Sequence, residues 1–272
     1  MAVDMVALVG DLAAESRDIE RILTALPEAG WDTPTPSSGW LVRDQVSHLA
    51  YFDETAALSA TDPERFEQES AQLLAVGAGF TDQVATEHRS ESPAQLLDWL
   101  HRARGTYLDT FRGLAPSLSL PWYGPPMSAA SSVTARLMET WAHGQDIVDA
   151  VSASRAPTAR LRHIAHLGVA TRGWSFRIRG LPVPEAPVRV ELTGPDGEVW
   201  TWGPRDATDR VTGSALDFCL LVTQRRHRSD TALRAAGPVA EAWLGIAQAF
   251  AGPPGPGRDP LGSSSPQPAV GP

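Results

Sequence analysis

The chain has 272 residues, of which 42% are hydrophobic and 20% are charged, a balance typical of globular proteins. Its formal net charge of −9 argues against a nucleic-acid-binding surface and against attachment to an anionic membrane. No apolar run approaches the roughly 20 residues of a membrane span, and the N-terminus lacks the features of a signal peptide, so a cytoplasmic protein is expected.

In several segments of the first 151 residues, apolar residues recur at steps of three and four, which is the spacing of an amphipathic helix. Pro27 and Gly30 end the first such segment, and Asp62 followed by Pro63 is typical of a helix start. The segment 92–95, Ser-Pro-Ala-Gln, is a capping box. Helices are therefore predicted at 3–26, 41–60, 63–75, 80–88, 96–114 and 128–151. Four of them are long enough to form a helical bundle.

After Pro157 the pattern changes from helices alone to a mixture of helices and strands. Alternating apolar and polar residues flank a turn at 194–197, which indicates a β-hairpin. Strands are predicted at 187–192, 198–202 and 209–213. Helices are predicted at 158–175, 214–225 and 237–250.

The predicted fold class is therefore a mixture of α and α+β structure in three parts. Residues 1–155 form a helical bundle, and residues 156–251 form a small α+β domain. Residues 252–272 are rich in proline, glycine and serine and lack core-forming side chains, so they are predicted to be a disordered tail.

The most informative chemical pattern is a carboxylate and an imidazole one helix turn apart. Glu139 and His143 share one face of the last predicted helix of the bundle. Two such ligands with a third from elsewhere would leave a catalytic metal an open position, and His48 in the second predicted helix is a candidate for that third ligand. A Glu–His pair at this spacing is also common on solvated helix faces. However, Asp146 extends the pair into a polar strip whose burial without a cation is costly.

Two sequence blocks resemble a known family. The block at 40–49 resembles W-x-v-x-D-x-v-x-H-L of the DinB-like metal-binding superfamily, and the block at 136–146 resembles R-x-x-E-x-x-x-H-x-x-D. Within the superfamily, the chain is similar to the mycothiol-dependent maleylpyruvate isomerase group. The resemblance implies a divalent ion, typically zinc, bound by His48, Glu139 and His143, with mycothiol or a similar thiol as cosubstrate. It also implies a DinB-like four-helix bundle followed by a sterol-carrier-protein-like α+β domain.

A further site residue follows from the same resemblance. In the family, an arginine near the C-terminus holds the acidic substrate, and its local pattern resembles residues 221–225, which assigns this role to Arg225. Gln224 stands where the family usually has glycine, and Arg226 follows directly. The alternative is that Arg225 belongs to a basic surface cluster at 225–228.

Asp44 and Tyr123 are also predicted to act at the site. Asp44, or Asp53 in its place, is predicted to orient the His48 ring from behind, and the alternative is that both acids face water. Tyr123 lies in the loop at 121–126, which is predicted to wall the pocket. The alternative is that the loop only connects two helices and that its aromatic side chains fill the space between them.

Together these residues predict a metal-dependent enzyme that activates a low-molecular-weight thiol for isomerisation of, or conjugation to, a small electrophilic substrate. A metal-coordinated thiol is deprotonated at neutral pH, whereas a free thiol has a pKa of about 8.5. Cys219 is the single cysteine and lies in an apolar segment, so the thiol is expected from a cosubstrate. Two alternatives remain open: a metal-dependent hydrolase or cyclase, and a hydrophobic-ligand-binding protein with a structural metal.

Overall fold

The computed structural model of the protein describes residues 3–77 and 79–262. The chain divides into two compact units, with the division after Ala156. The first unit is mainly helical, and the second combines helices with a four-stranded sheet, so the mixed and mainly helical class is confirmed. Within the described residues, none of the helices combines the length and apolar character that crossing a membrane requires.

The described residues of the first unit form six α-helices, close to the predicted positions. They are α1 (Met5–Ala25), α2 (Val42–Thr61), α3 (Pro63–Val76), α4 (Phe80–Glu87), α5 (Pro93–Arg112) and α6 (Ala129–Ala150). Side chains at several starts bind backbone N–H groups that have no partner within the helix. Ser92 and Gln95 form the predicted capping box of α5, with Ser92 N donating to Gln95 Oε1 at 2.9 Å. Asp44 accepts a hydrogen bond from Leu41 N at 2.7 Å at the start of α2.

Helix α2 is central to the first unit. It contacts α3, α4, α5 and α6, while α1 contacts α5 and α6. Apolar side chains from these helices share one core, which includes Ile19, Val46, Leu49, Leu96 and Ile147. Because 15 of the 20 residues of α2 are buried, its polar side chains must find partners inside the protein.

Asp53 on α2 anchors a buried ion-pair network that joins the long helices. Its carboxylate accepts hydrogen bonds from Arg104 Nε on α5 at 2.5 Å and from Arg136 Nε on α6 at 2.9 Å. Arg104 also donates to Ser16 on α1 and to Thr140 on α6. All three charged side chains are almost completely buried. This network fixes the spacing of α2 and α6, the two helices that carry the predicted metal ligands.

Replacing Gly144 with alanine should destabilise the first unit, because Gly144 lies where α6 approaches α1. A Cβ atom at this position would overlap Ile19 Cδ1 and lie 2.7 Å from Ile19 Cγ1. Overpacking of this kind typically costs about 1–3 kcal/mol. Urea denaturation should therefore show a lower free energy of unfolding for Gly144→Ala. Gly105→Ala is the matched control, since Gly105 lies in α5 and a Cβ atom there would meet no neighbouring atom within 4 Å.

The two glycine variants should change stability in opposite directions. Gly105→Ala is expected to stabilise the protein by about 0.5–1 kcal/mol, because alanine loses less backbone entropy in a helix than glycine does. Equal stability of Gly144→Ala and the unaltered protein would show that Ile19 yields without cost.

The second unit has four α-helices and a mixed sheet among its described residues. The helices are α7 (Leu161–Ala170), α8 (Arg172–Arg177), α9 (Ala215–Val222) and α10 (Pro238–Leu244). The sheet strands are β3 (Val188–Thr193), β4 (Val199–Trp202), β5 (Asp209–Ser214) and β6 (Arg234–Ala236), in the order β4-β3-β5-β6. The β3–β4 pair is the predicted antiparallel hairpin, and β5 runs parallel to β3. In the first unit, β1 (Ser119–Leu120) pairs with β2 (Met127–Ser128) and brackets the loop at 121–126.

Three features of the second unit differ from the prediction. The single helix predicted at 158–175 is two helices that meet at Thr171, whose hydroxyl donates back to Leu167 O at 2.8 Å, a bond that often bends helices. Strand β6 was not predicted, because three residues are too few for an alternating pattern. Helix α10 ends before Gly245 rather than near residue 250.

The predicted tail lies partly outside the described residues, which end at 262. The described part, 252–262, has no helix or strand. It is nevertheless bonded to its own unit, because Leu261 N donates to Asp230 Oδ2 at 2.9 Å and Gly255 N donates to Gln248 Oε1 at 3.2 Å.

Candidate metal centre

The structure brings His48, Glu139 and His143 together between α2 and α6. The distance from His143 Nε2 to Glu139 Oε2 is 3.0 Å, and His48 Nε2 lies 3.8 Å from the same oxygen. Each of the three residues offers one potential ligand atom, and these three atoms lie within 4.8 Å of one another. Among the described residues, no fourth potential ligand of this type belongs to the cluster. The spacing of one helix turn places Glu139 and His143 side by side, and the packing of α2 on α6 adds His48.

The site is largely buried, with one side open to solvent. The side chains of His48 and His143 are 11% and 10% exposed, whereas that of Glu139 is 25% exposed. Burial, together with the neighbouring His143, lowers the pKa of His48 to about 3, so its imidazole is neutral at neutral pH. Burial opposes ionisation of Glu139, but the interactions of its carboxylate with the two histidines outweigh burial and hold its pKa well below the usual value. Neutral imidazole and ionised carboxylate are the forms that bind metals.

The donor set fits a divalent ion such as zinc. Two imidazole nitrogens and one carboxylate oxygen form a ligand set known from catalytic zinc sites, in which a further position stays open. The orientation of His143 adds a second argument. Its Nδ1 lies 2.5 Å from Gln45 Oε1, an atom that only accepts, and a proton on Nδ1 completes this hydrogen bond. In the neutral ring, Nε2 and Glu139 Oε2 are then two acceptors facing each other, an arrangement that a cation between them stabilises.

The prediction that Asp44 or Asp53 orients His48 is wrong. The carboxylate of Asp44 caps α2 and pairs with Arg89, whose Nη2 lies 2.5 Å from Asp44 Oδ2. The carboxylate of Asp53 is held by two arginines of the buried network. His48 Nδ1 is buried and has no hydrogen-bond partner in the described part of the chain. Asp44, predicted as a catalytic residue, therefore stabilises the start of the helix that carries His48.

Aromatic rings flank the two histidines. The Trp40 ring stacks on His143, with centroids 5.8 Å apart and an interplanar angle of 16°, and its Nε1 donates to Asp82 on α4 at 2.9 Å. Phe52 packs against His48 with centroids 4.6 Å apart. These contacts restrict the orientation of both imidazole rings and reduce the access of water to them.

Tyr123 is separated from His48 by the ring of Phe52, which contacts both residues. Its ring contacts Phe52 at 5.7 Å and Phe80 at 5.3 Å between centroids. Trp122 stacks on Phe66 in the same aromatic cluster. Burial raises the pKa of Tyr123, and Tyr51 raises it further, so its hydroxyl stays protonated. The loop at 121–126 thus extends the aromatic surface that begins at Phe52, and a direct role of Tyr123 in chemistry stays a prediction.

Arg225 belongs to the second unit and follows α9. Its Nη1 donates to Thr223 O at 2.7 Å, and its backbone N donates to Leu220 O at 2.8 Å. The preceding Gln224 has φ of 58°, a left-handed conformation that favours glycine, which explains why glycine suits this position. The assignment of Arg225 to substrate binding stays a prediction.

Cys219 does not supply the thiol. It is buried inside α9, its Sγ contacts Leu161 O at 3.4 Å, and burial raises its pKa, so the thiolate is disfavoured. Burial was predicted for this residue.

Sequence reasoning missed Gln45 and the role of Trp40. Gln45 is completely buried, and a buried amide three residues before a candidate ligand lies on the same side of the helix. Trp40 was part of the sequence block but received no role, because nothing in the sequence shows that the residue before the helix folds back over His143.

Comparisons with known proteins identify relatives of this chain. A family model described as the mycothiol maleylpyruvate isomerase N-terminal domain matches residues 12–148, and one described as wyosine base formation matches residues 184–236. An uncharacterized protein of Mycobacterium tuberculosis (strain ATCC 25618 / H37Rv) is 50% identical over 251 residues, which are 92% of this chain and 97% of that protein. A protein of strain CDC 1551 / Oshkosh gives the same values.

Two solved structures share the fold. The crystal structure of the mycothiol-dependent maleylpyruvate isomerase has a TM-score of 0.58 at 16% identity, and that of a histidine-to-alanine mutant has the same TM-score at 14%. Each match covers 86% of this chain and 93% of the solved chain, and at these identities it shows the fold alone. The first family model spans half of the chain and includes His48, Glu139 and His143. The chain therefore belongs to the family defined by the mycothiol maleylpyruvate isomerase N-terminal domain.

Proposed function

We propose that this protein is a metal-dependent enzyme that activates a low-molecular-weight thiol, mycothiol or a similar one, for isomerisation of or conjugation to a small electrophilic substrate. The observation that carries the proposal is the convergence of His48, Glu139 and His143 at one point. Membership of the isomerase family supports the choice of reaction.

The residues of the site suit this chemistry. His48 is neutral and Glu139 is ionised, so together with His143 they are ready to hold a divalent ion, which we propose is zinc. When bound, such an ion lowers the pKa of a coordinated thiol and supplies a thiolate at neutral pH. The partial exposure of Glu139 gives the thiol a route to the site. The rings of Trp40 and Phe52 limit competing water around the histidines.

Isomerisation and conjugation both begin with addition of the thiolate to the substrate. Addition of the thiolate sulfur to an activated double bond forms a C–S bond and leaves an adduct that rotates about the former double bond. Elimination of the thiolate then restores the double bond with the other geometry, whereas protonation of the adduct gives a conjugate. Arg225 is proposed to bind the acidic group of the substrate, and Tyr123 to form part of the wall of the substrate pocket.

The finer architecture is part of the same proposal. The mutual packing of α1, α2, α5 and α6 supports a DinB-like four-helix bundle at 1–155. The mixed sheet with α7–α10 supports a sterol-carrier-protein-like domain at 156–251, followed by a tail at 252–272. Low-molecular-weight thiols are kept reduced in the cytoplasm, which is where the enzyme is proposed to act.

The alternative of a structural metal in a ligand-binding protein is disfavoured. Structural zinc sites are usually closed by four protein ligands. The group at this site has three members within the described ranges, and one of them, Glu139, faces solvent in part.

Removal of the metal should abolish thiol-dependent turnover. Elemental analysis of untagged protein should find about one divalent ion per chain, as expected for a single three-ligand site. The protein should then accelerate the reaction of mycothiol with maleylpyruvate or with monochlorobimane. A chelator should stop the reaction and added zinc should restore it, because the proposed thiolate forms on the metal ion. The uncatalysed thiol reaction is the control, and turnover that persists without metal would contradict the proposal.

A further inference from the structure

A chain of hydrogen bonds leads from the backbone before α2 to the imidazole of His143. Thr35 Oγ1 lies 2.9 Å from Trp40 O, Gln45 Nε2 lies 2.9 Å from Thr35 Oγ1, and Gln45 Oε1 lies 2.5 Å from His143 Nδ1. Gln45 itself is completely buried. The bond between Gln45 and His143 is buried and the two bonds of Thr35 are partly buried, so an unpaired polar atom on the Gln45 amide is costly.

The hydroxyl group of Thr35 favours one direction for these bonds. A backbone carbonyl only accepts, so the single hydroxyl proton of Thr35 is donated to Trp40 O. Thr35 Oγ1 must then accept from the amide nitrogen of Gln45. This orientation turns Gln45 Oε1 toward His143, and because an amide oxygen only accepts, His143 Nδ1 is the donor. The reversed amide would draw the hydroxyl proton of Thr35 away from Trp40 O and leave that carbonyl only the hydrogen bond from Thr35 N at 2.8 Å.

We propose that Gln45 is a positioning residue that keeps the proton of His143 on Nδ1 and thereby directs the Nε2 lone pair toward Glu139. This inference rests on the proposed function in one respect, namely that the Nε2 lone pair of His143 binds the metal ion. The hydrogen bond also fixes the rotation of the ring about its Cβ–Cγ bond, since Nδ1 must meet Gln45.

His48 lacks this kind of control. Its Nδ1 has no hydrogen-bond partner in the described structure, and its ring is held by contacts with Phe52 at 4.6 Å and Trp40 at 5.3 Å between centroids. Trp40 packs against both histidines, but His143 is held in addition by the Gln45 amide. Loss of Gln45 should therefore affect His143 selectively.

The test is nitrogen-15 NMR of the histidine rings in metal-free protein at neutral and mildly alkaline pH. The unaltered protein should show a proton on Nδ1 of His143 throughout. In Gln45→Leu, the neutral ring should move its proton to Nε2, where Glu139 accepts it, and zinc affinity should fall on the order of 10–100-fold. Gln45→Glu retains an acceptor for Nδ1 and should restore both the proton position and most of the affinity.

A second control separates positioning from packing. Thr35→Val retains the packing of Gln45 but removes the bond that orients its amide, so the preference of the His143 proton for Nδ1 should weaken. An unprotonated Nδ1 in the unaltered protein, or an unchanged proton position in folded Gln45→Leu, would overturn the inference. The NMR measurement requires neither metal nor turnover. It therefore tests the proton position of His143 even if the proposed thiol chemistry is wrong. Conversely, a metal-dependent enzyme with an unprotonated Nδ1 would retain the proposed function and lose only this inference.

Discussion

Replacing His143 with alanine should remove the bound metal and the thiol-dependent activity while the helical unit stays folded. The variant retains only His48 and Glu139 as ligands, and the loss of a direct ligand should exceed the 10–100-fold loss of affinity typical for a residue that only orients a ligand. The fold should persist, because the lost hydrogen bond to Gln45 costs about 1–3 kcal/mol against a typical stability of about 5–15 kcal/mol.

Elemental analysis and circular dichroism of the same samples would check both parts of this expectation. His101→Ala is a matched control, because His101 is also paired with a glutamate, Glu20, in the first unit but is half exposed. The control should keep its metal and its activity. Full metal content in folded His143→Ala would refute the assignment of His143 as a ligand.

Replacing Asp53 with asparagine should destabilise the first unit more than any surface change. Asparagine has nearly the same shape, so the main effect is the loss of the charge that faces Arg104 and Arg136. Removing one partner of a buried ion pair typically costs about 3–5 kcal/mol, because the remaining charge is buried without compensation. Urea denaturation followed by circular dichroism should show this decrease in the free energy of unfolding.

Asp109→Asn provides the control for the charge change. Asp109 pairs with Arg112 on the surface of α5 and its side chain is 81% exposed, so its substitution should change stability by no more than about 0.5 kcal/mol. A loss below about 1 kcal/mol for Asp53→Asn would mean that the two arginines find other partners or water.

The sequence predicted most helices and the meeting of the three candidate ligands. Local signals sufficed there, because helix periodicity and the spacing of Glu139 and His143 depend on neighbours in the chain. Their role in metal binding stays a prediction. The partners of Asp44 and Asp53 were not predictable in the same way. Asp44 pairs with Arg89, 45 residues away, and Asp53 pairs with Arg136, 83 residues away, and no local pattern identifies such partners.

In the second unit too, contacts between distant parts of the chain could not be predicted from local sequence patterns. The hairpin β3–β4 has a local turn and was predicted, whereas the parallel pairing of β5 with β3 depends on the tertiary fold. Strand β6 is fixed by its bonds to β5 rather than by its own residues. Thr171 bends the chain between α7 and α8, although the apolar spacing continues through it.

The burial of α2 has a thermodynamic consequence for metal binding. His48 is held on a helix that is packed on nearly all sides, and Glu139 and His143 share one turn of α6, so the ligands are ordered before any ion arrives. Small zinc domains use the free energy of metal binding to fold, because their ligands are disordered without it. Here that free energy would instead add to the stability of an already folded unit. By mass action, a free zinc concentration of 100 times the Kd would raise the free energy of unfolding by about 2.7 kcal/mol.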